Sequence, residues 1–326
     1  MTISRRGILL AAPAVVGASS AAFAQAWPAK PVTVVVPFAA GGPTDVIARL
    51  IGEHLTQAFG QQFLVENVGG AGGSTGMTRV AQAAPDGYTL GVGNMGTQSA
   101  APALYPNLKY DPAKSFDQVS ILNYTPQTIV SKKDLPAKDL KELLAYLKAN
   151  ESTITYGHAG VGSISYVSGV VFNALVKLKP ALVAYRGTNP ALLDLVAGKI
   201  DYMVDQSLNV IPQIKAGSIK AYAVAAPQRL KSLPDVPTTK EAGLDFVFSA
   251  WNAMVAPKGI PADIKAKLVD AVKKALADPA TVSRYEELGS TAPTGADVGP
   301  DALQKLVESE VARITPVLKE AAAATK

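Results

Sequence analysis

Short apolar runs that suit β-strands alternate with amphipathic segments of helical spacing along most of this chain. Val32–Val36 is a run of β-branched residues typical of a buried strand, and residues 43–59 follow with an apolar stripe between Val46 and Leu55. This alternation predicts an α/β fold in which mostly parallel sheets are flanked by helices. The chain of 326 residues, of which about 300 form the mature protein, exceeds one typical hydrophobic core, so we expect two lobes with a ligand cleft between them.

The order of these segments predicts a discontinuous first lobe. We expect residues 25–122 to form its first part, residues 123–224 to form the second lobe, and residues 225–326 to complete the first lobe with a crossing strand and C-terminal helices. The other predicted strands are 62–65, 88–92, 119–130 (a crossing segment), 154–157, 182–185, 200–204, 221–225 (returning to the first lobe) and 246–255. The other predicted helices are 77–84, 140–148, 164–175, 190–197 and 264–277.

The N-terminus has the features of an export signal. Arg5 and Arg6 precede an apolar segment at 7–16, and residues 22–24 supply an A-x-A cleavage site. The pattern around the two arginines also resembles a twin-arginine signal, which leaves the export route open. We therefore expect residues 1–24 to be a signal peptide and the mature protein to work in the periplasm.

The composition excludes several functional classes. The chain has no cysteine and only two histidines, so we expect no catalytic residue, no metal site and no cofactor. The formal net charge of +5 falls to +3 when the two signal-peptide arginines are removed. This mild, unclustered excess does not predict nucleic-acid binding, but it suits a small anionic ligand.

Three junctions share the order strand, glycine-containing loop and helix. They lie at 41–45, 160–163 and 185–190, with Ser163 and Asn189 as predicted N-caps of the second and third helices and Pro190 at the first helical position. In the first junction, glycine residues such as Gly42 allow bare backbone to approach a ligand.

Ligands of open α/β sheets bind at such junctions, where strands end and helices begin. Each helix start presents unpaired N–H groups and a partial positive charge to a carboxylate or phosphate. Arg186 lies in the third junction and adds a cation. The junctions therefore predict an anion site.

The same junctions belong to a longer ordered set of motifs. The chain resembles the substrate-binding proteins of tripartite tricarboxylate transporters, the Bug-type receptors, across nearly the whole mature region. The motifs that carry the resemblance are Trp27-Pro28-Ala29-Lys30-Pro31, Val35-Val36-Pro37-Phe38 through Gly41-Gly42 and Asp45, Glu66-Asn67 with Gly70-Ala71-Gly72-Gly73, Pro85-Asp86-Gly87-Tyr88, Tyr156-Gly157 with Gly160, Tyr185-Arg186-Gly187, and Leu233-Pro234-Asp235-Val236-Pro237-Thr238 with Glu241-Ala242-Gly243.

The resemblance implies a type II periplasmic-binding-protein fold whose lobes close on a ligand carboxylate, held partly through ordered water. The positions it assigns to carboxylate binding are Phe38, Ala39, Thr44, Gly162 and Ser163. Asp205 matches a position that often faces the cleft and would there accept a hydrogen bond from an amino or hydroxyl group. The alternative is an aspartate that caps a helix or lies on the surface.

Several candidate residues depart from the family pattern. Thr97-Gln98 replaces a frequent Thr-His pair, His158 replaces a small residue, and Asn252 follows Trp251 where an aromatic residue is typical. We keep Thr97, Gln98 and His158 as candidate ligand-binding residues. The implied ligand is a small mono- or dicarboxylate, including aromatic acids and amino acids. The implied partners are the membrane permease subunits, with the receptor itself a monomer.

Two other functions compete with this interpretation. Residues 72–76 satisfy the G-x-S-x-G pattern of a secreted serine hydrolase, with Ser74 as nucleophile and His158 as the available base. That motif needs a strand directly before the serine, whereas the preceding residues are rich in glycine. Alternatively, the loaded receptor presents its ligand to a sensor kinase rather than to a permease.

Overall fold

The computed structural model describes the backbone of residues 27–324 and the side chains of residues 27–319. The predicted signal peptide lies outside the described residues. Within them the apolar runs form strands β1 (Val32–Val36), β2 (Phe63–Asn67), β3 (Thr89–Asn94), β4 (Phe116–Lys132), β5 (Thr155–His158), β6 (Ala181–Ala184), β7 (Tyr202–Gln206), β8 (Ile219–Val224) and β9 (Ser249–Pro257).

The segments between the strands, and those after β9, form helices. These are α1 (Pro43–Phe59), α2 (Ser74–Ala81), α3 (Ala101–Leu104), α4 (Leu140–Ala149), α5 (Ile164–Leu175), α6 (Thr188–Val196), α7 (Ser207–Lys215), α8 (Ala262–Ala277), α9 (Pro279–Glu287) and α10 (Pro300–Ala324). A π-helical turn at Gly96–Ala100 leads into α3.

The strands follow the order β2-β1-β3-β9-β4-β7-β5-β6, with β8 also paired to β4. The long strand β4 connects two lobes, because its pairing changes from β9 to β7 and β8 after Pro126. The first lobe contains β1, β2, β3, β9 and the start of β4, and the second contains β5 to β8 and the end of β4. The predicted two-lobed α/β fold is confirmed, while the exact lobe boundaries stay a prediction.

The first lobe is built around α1, whose apolar stripe follows from its sequence. Ile47, Ile51 and Leu55 have no exposed surface, and α1 packs beside α8 over β1. At the other end of the helix, Gly60 adopts a left-handed conformation and its N–H bonds to the carbonyl of Thr56, which ends the helix. This packing fixes the start of α1 relative to the sheet.

The structure corrects several details of the predicted elements. Helix α6 begins at Thr188 rather than at Pro190, and Gly187 instead of Asn189 takes the N-cap position in an extended conformation. Helix α2 begins at Ser74 rather than at Met77, and helices α3 and α7 were not predicted. Strand β8 pairs with the end of β4 in the second lobe instead of returning the chain to the first lobe. Among the described residues, no helix has the length and apolar character needed to cross a membrane.

Candidate ligand-binding site

A small open cavity lies between the two lobes. Residues from the first lobe and residues from the second lobe contribute to its walls. The lining residues are Phe38, Gly42, Pro43, Thr44 and Asn94 from the first lobe, and Ala159, Ser163, Ile164, Ser165, Thr188 and Gln206 from the second. None of these lining residues is a lysine, an arginine or a histidine.

Four helices begin at this cavity. Pro43, Ile164 and Thr188 are the first residues of α1, α5 and α6, and Gln206 directly precedes α7. The three predicted junctions therefore meet at one place, and α7 adds a fourth. Because each helix start carries unpaired N–H groups and a partial positive charge, the cavity favours an anion without any basic side chain.

Asp45 holds the first loop in position. Its carboxylate accepts a hydrogen bond from the Gly41 N–H at 2.9 Å and another from Arg49 Nε at 2.9 Å. Asn67 Nδ2 donates to Asp45 Oδ1 at 2.8 Å and also to the carbonyl of Phe38 at 3.0 Å. Burial alone would raise the pKa of Asp45, but these hydrogen bonds outweigh it and lower the pKa. The ionised carboxylate thus ties the loop to α1 and β2.

The second-lobe wall offers hydroxyl donors. Ser163 is the N-cap of α5 and accepts from the Tyr166 N–H at 3.2 Å, while Ser165 Oγ accepts from the Ala159 N–H at 2.9 Å. The two serine oxygens lie 3.3 Å apart. Only one of the two hydroxyl protons can be used between them, so at least one remains for an acceptor in the cavity. This wall is suited to a carboxylate.

The first-lobe wall is formed by Thr44 and Asn94. Asn94 Nδ2 donates to Thr44 Oγ1 at 3.0 Å, and Thr44 Oγ1 donates to Asn252 Oδ1 at 2.8 Å. Opposite them, Gln206 is 3% exposed and its Oε1 has no hydrogen-bond partner in the described part of the chain. A buried amide oxygen without a donor is costly, which marks Gln206 as a group that a ligand can satisfy.

The lobes touch each other around the cavity. The Ala39 N–H donates to the carbonyl of Arg186 at 3.2 Å, and Asn189 Nδ2 donates to the carbonyl of Ala40 at 3.3 Å. On the other side, the Tyr105 hydroxyl donates to the carbonyl of Val161 at 2.6 Å. These contacts describe a closed arrangement of the lobes. Arg186 and Ala39 contribute backbone groups to it, and the Arg186 side chain is exposed rather than directed to the cavity.

Thr97 and Gln98 lie behind the cavity wall. The Asn94 N–H donates to the Thr97 hydroxyl at 2.9 Å, and this hydroxyl donates to the Asn94 carbonyl at 3.1 Å. Gln98 is fully buried, and neither of its amide atoms has a hydrogen-bond partner within residues 27–324. Gly162 is also outside the lining, although its neighbour Ser163 belongs to it. These three candidates support lining residues instead of forming the wall themselves.

His158 is a buried side chain next to the cavity wall. Its ring stacks on Tyr156 and lies 5.2 Å from the ring of Tyr166, and its Nδ1 accepts from the Gly160 N–H at 3.1 Å. Burial lowers the pKa of His158, so the imidazole is neutral near pH 7. The structure places His158 as a support for the glycine loop, outside the lining residues.

Asp205 is fully buried but does not line the cavity, and it is neither a surface residue nor the N-cap of α7. Its Oδ2 accepts from Asn209 Nδ2 at 2.6 Å, and its Oδ1 has no partner among the residues described. Gln206 lines the cavity in its place, because successive side chains of a strand point to opposite faces. Burial raises the pKa of Asp205 to about 6.

The geometry required by the hydrolase motif is absent. Ser74 is the first residue of α2, and a turn of 3₁₀-helix at Ala71–Gly73 precedes it where the motif needs a strand. Strand β2 already ends at Asn67. In the part of the chain that the structure covers, no group of acidic, histidine or cysteine side chains is placed to hold a metal ion.

Comparison with known proteins agrees with this architecture. A model of the tripartite tricarboxylate transporter family receptor matches residues 47–322. A protein encoded in the TAR-I ttuE-ttuC' intergenic region of Agrobacterium vitis is 46% identical over 91% of this chain and 86% of its own length.

Two solved structures are also similar. MatC from Rhodopseudomonas palustris with bound malate has 45% identity and a TM-score of 0.86, covering 89% of this chain and 99% of its own. The periplasmic binding protein BugD has 40% identity and a TM-score of 0.88, covering 91% and 99%. The resemblance found in the sequence is confirmed: the chain belongs to the receptor family of the tripartite tricarboxylate transporters, whose members include the Bug-type solute-binding proteins.

Proposed function

We propose that the protein binds a small dicarboxylate between its lobes in the periplasm and delivers it, as a monomer, to the permease subunits of a tripartite tricarboxylate transporter. The observation that carries the ligand class is the meeting of four helix starts at one cavity without a basic side chain. Such a cavity binds a carboxylate through backbone N–H groups and hydroxyls. The family description supports the transporter as partner.

The available interactions are strong enough for this role. A favourable helix start contributes up to about 2 kcal/mol, and a hydrogen bond to a charged group contributes roughly 1.5–3 kcal/mol. Micromolar affinity requires about 8 kcal/mol. The serine hydroxyls and two or three helix starts reach this value for one carboxylate, so no salt bridge is needed. Malate is the first ligand to test, because the similar MatC structure holds it.

Replacing Ser163 with alanine is expected to weaken malate binding about tenfold or more, because a hydrogen bond to the carboxylate is lost. The same change removes the cap of α5 and costs about 1 kcal/mol of stability. Isothermal titration calorimetry of the mature protein measures the first effect, and chemical unfolding measures the second.

Asp139→Ala is the matched control. Asp139 is the N-cap of α4 and accepts from the Glu142 N–H at 2.8 Å, but it does not line the cavity. This variant should lose a similar amount of stability and keep the wild-type affinity. An equal loss of affinity in both variants would contradict the site. Absence of binding by any organic anion in a broad panel would end the proposed function.

A further inference from the structure

Three asparagines lie in register across neighbouring strands behind the cavity. Asn252 on β9 is paired with Asn94 on β3 on one side and with Asn123 on β4 on the other. All three side chains are at most 2% exposed. We call this set the asparagine ladder. Buried amides in such a row must bond to one another or to nearby hydroxyls, since unpaired buried polar groups are costly.

The ladder forms a continuous hydrogen-bond chain that includes the cavity residue Thr44. Asn94 Nδ2 donates to the Thr44 hydroxyl, which donates to Asn252 Oδ1. Asn252 Nδ2 then donates to Asn123 Oδ1 at 2.9 Å. Asn123 Nδ2 donates to Ser290 Oγ at 2.8 Å. From Thr44 onward, every donor in this chain therefore points away from the cavity and toward Ser290.

Backbone groups at both ends determine this direction. At the start, the Thr97 N–H donates to Asn94 Oδ1 at 3.2 Å, and an N–H can only donate. At the end, the Ser290 hydroxyl donates to the carbonyl of Tyr124 at 2.9 Å, and a carbonyl can only accept. Turning the two central amides, Asn252 and Asn123, would redirect the Ser290 proton and break its bond to Tyr124. The chain is thus held in one orientation.

This orientation determines whether the Thr44 hydroxyl donates a hydrogen bond to a ligand or accepts one. Its hydroxyl proton is committed to Asn252, and one of its two lone pairs is used by Asn94. Only one lone pair remains, so Thr44 accepts a hydrogen bond from a ligand but does not donate one. Gln206 Oε1, a buried oxygen on the other wall without a partner among residues 27–319, is likewise an acceptor, whereas the Nε2 of the same amide is a donor. Neither oxygen suits a carboxylate, and both suit an O–H or N–H group.

We propose that the asparagine ladder makes Thr44 a hydrogen-bond acceptor and thereby selects carboxylates that carry a hydroxyl or amino group over unsubstituted ones. The inference rests on the proposed function and deepens it. The acid group lies against Ser163, Ser165 and the helix starts, where protons are available, and the ligand's O–H or N–H donates to Thr44. Asn252 and Ser290 act as positioning residues, because they set the orientation of the Thr44 proton without lining the cavity.

The test compares L-malate with succinate, which differ by one hydroxyl group. We expect calorimetric titrations to give an affinity about tenfold higher for malate than for succinate. This is the effect of one hydrogen bond to an acceptor that succinate leaves unpaired. Thr44→Val should reduce this preference to within about twofold, since valine keeps the shape but has no acceptor. Thr44→Ser, which retains the hydroxyl and its chain, should keep the preference. Any general loss of stability affects both acids alike and cancels in the ratio.

Asn252→Leu tests the positioning role. Leucine cannot accept the hydrogen bond from Thr44, so the Thr44 hydroxyl becomes free to donate to a carboxylate. The preference for malate over succinate should therefore fall about threefold or more, although residue 252 does not touch the ligand. Equal wild-type affinities for the two acids, or a ratio unchanged in Thr44→Val, overturn the inference and leave the proposed function intact. Failure of both acids and of every other organic anion to bind overturns the proposed function, and the inference with it.

Discussion

Gly96→Ala is expected to lower the affinity for a dicarboxylate by about 5- to 150-fold, corresponding to an overpacking cost of about 1–3 kcal/mol in the closed protein. Gly96 lies in the π-helical turn after β3, in the first lobe. A Cβ at this position would lie 2.5 Å from the carbonyl oxygen of Gly162 and 3.0 Å from the backbone nitrogen of Ile164, both in the second lobe. Backbone atoms of a packed loop cannot move aside as a flexible side chain can.

The added Cβ destabilises the closed arrangement of the lobes and leaves the folding of each lobe largely unaffected. The lobes can separate slightly to relieve the contact, so each lobe keeps its own core. Ligand affinity falls because the apparent dissociation constant rises as the fraction of binding-competent, closed protein falls. Calorimetric titration with malate measures the affinity, and small-angle X-ray scattering with saturating ligand should show a more extended particle than for the wild-type protein.

Gly52→Ala provides the comparison. Gly52 is also a helical glycine, in α1, but its added Cβ would lie 3.5 Å from the nearest atom, an ordinary contact. Alanine there should stabilise the helix by up to about 1 kcal/mol and leave affinity unchanged. Wild-type affinity in Gly96→Ala would show that the lobes do not close as in this structure.

Local signals predicted the elements that place the cavity. Helices α1 and α5 have the predicted bounds because each carries its own start signal, Pro43 at the first position of α1 and Ser163 as the cap of α5. Strand β1 has the predicted bounds because its run of β-branched residues marks it. Where several start signals lie close together, prediction failed. Thr188, Asn189 and Pro190 all suit a helix start; α6 begins at Thr188, and the Asn189 side chain bonds to the carbonyl of Ala40 in the first lobe instead of capping the helix.

Helix α7 was missed for a different reason. It contains Pro212, which normally ends a helix, and only nine residues. Its start is stabilised by tertiary contacts, such as the hydrogen bond from the Ser207 hydroxyl to the carbonyl of Pro126 at 2.9 Å. Without α7, the sequence provided no reason to prefer Gln206 over Asp205 as the residue at the cavity.

In the candidate site too, residues with local sequence signals were predicted and residues that depend on tertiary contacts were missed. Phe38, Gly42, Thr44 and Ser163 were predicted and line the cavity, because they belong to recognisable loops at helix starts. Asn94 was missed, since it ends a strand without any loop motif. Its role depends on pairing with Asn252, which is more than 150 residues away in the chain. A polar residue that ends a buried strand is the signal that could have identified both Asn94 and Gln206.

Asp205→Asn is expected to gain stability relative to the wild type by about 2 kcal/mol as the pH rises from 4 to 7.5. Burial raises the pKa of Asp205 from 3.8 to about 6, so the folded protein holds this proton more tightly than the unfolded chain does. Protonated Asp205 contributes stability below pH 4, and this contribution is lost as the pH rises through 6. Asparagine does not titrate and still accepts from Asn209.

Urea unfolding of both proteins at several pH values, without ligand, measures the difference in unfolding free energy. Asp201→Asn, just before β7, should give a difference of the opposite sign. Burial alone would raise the pKa of Asp201, but hydrogen bonds from Lys132 and Thr155 outweigh it and lower the pKa. Asp201 therefore contributes stability above pH 4 that is lost as the pH falls. The Asp201→Asn variant should have its largest deficit in unfolding free energy, relative to the wild type, near neutral pH.

The same variant also separates the two roles considered for Asp205. Because Asp205 lies outside the cavity lining, Asp205→Asn should bind malate at pH 7.5 with wild-type affinity. If the ligand donated a hydrogen bond to the Asp205 carboxylate, replacing this charged acceptor with a neutral amide oxygen would instead weaken binding by about tenfold. Parallel stability curves for Asp205→Asn and wild type, combined with weakened binding, would show that the carboxylate faces the ligand when the lobes close on it.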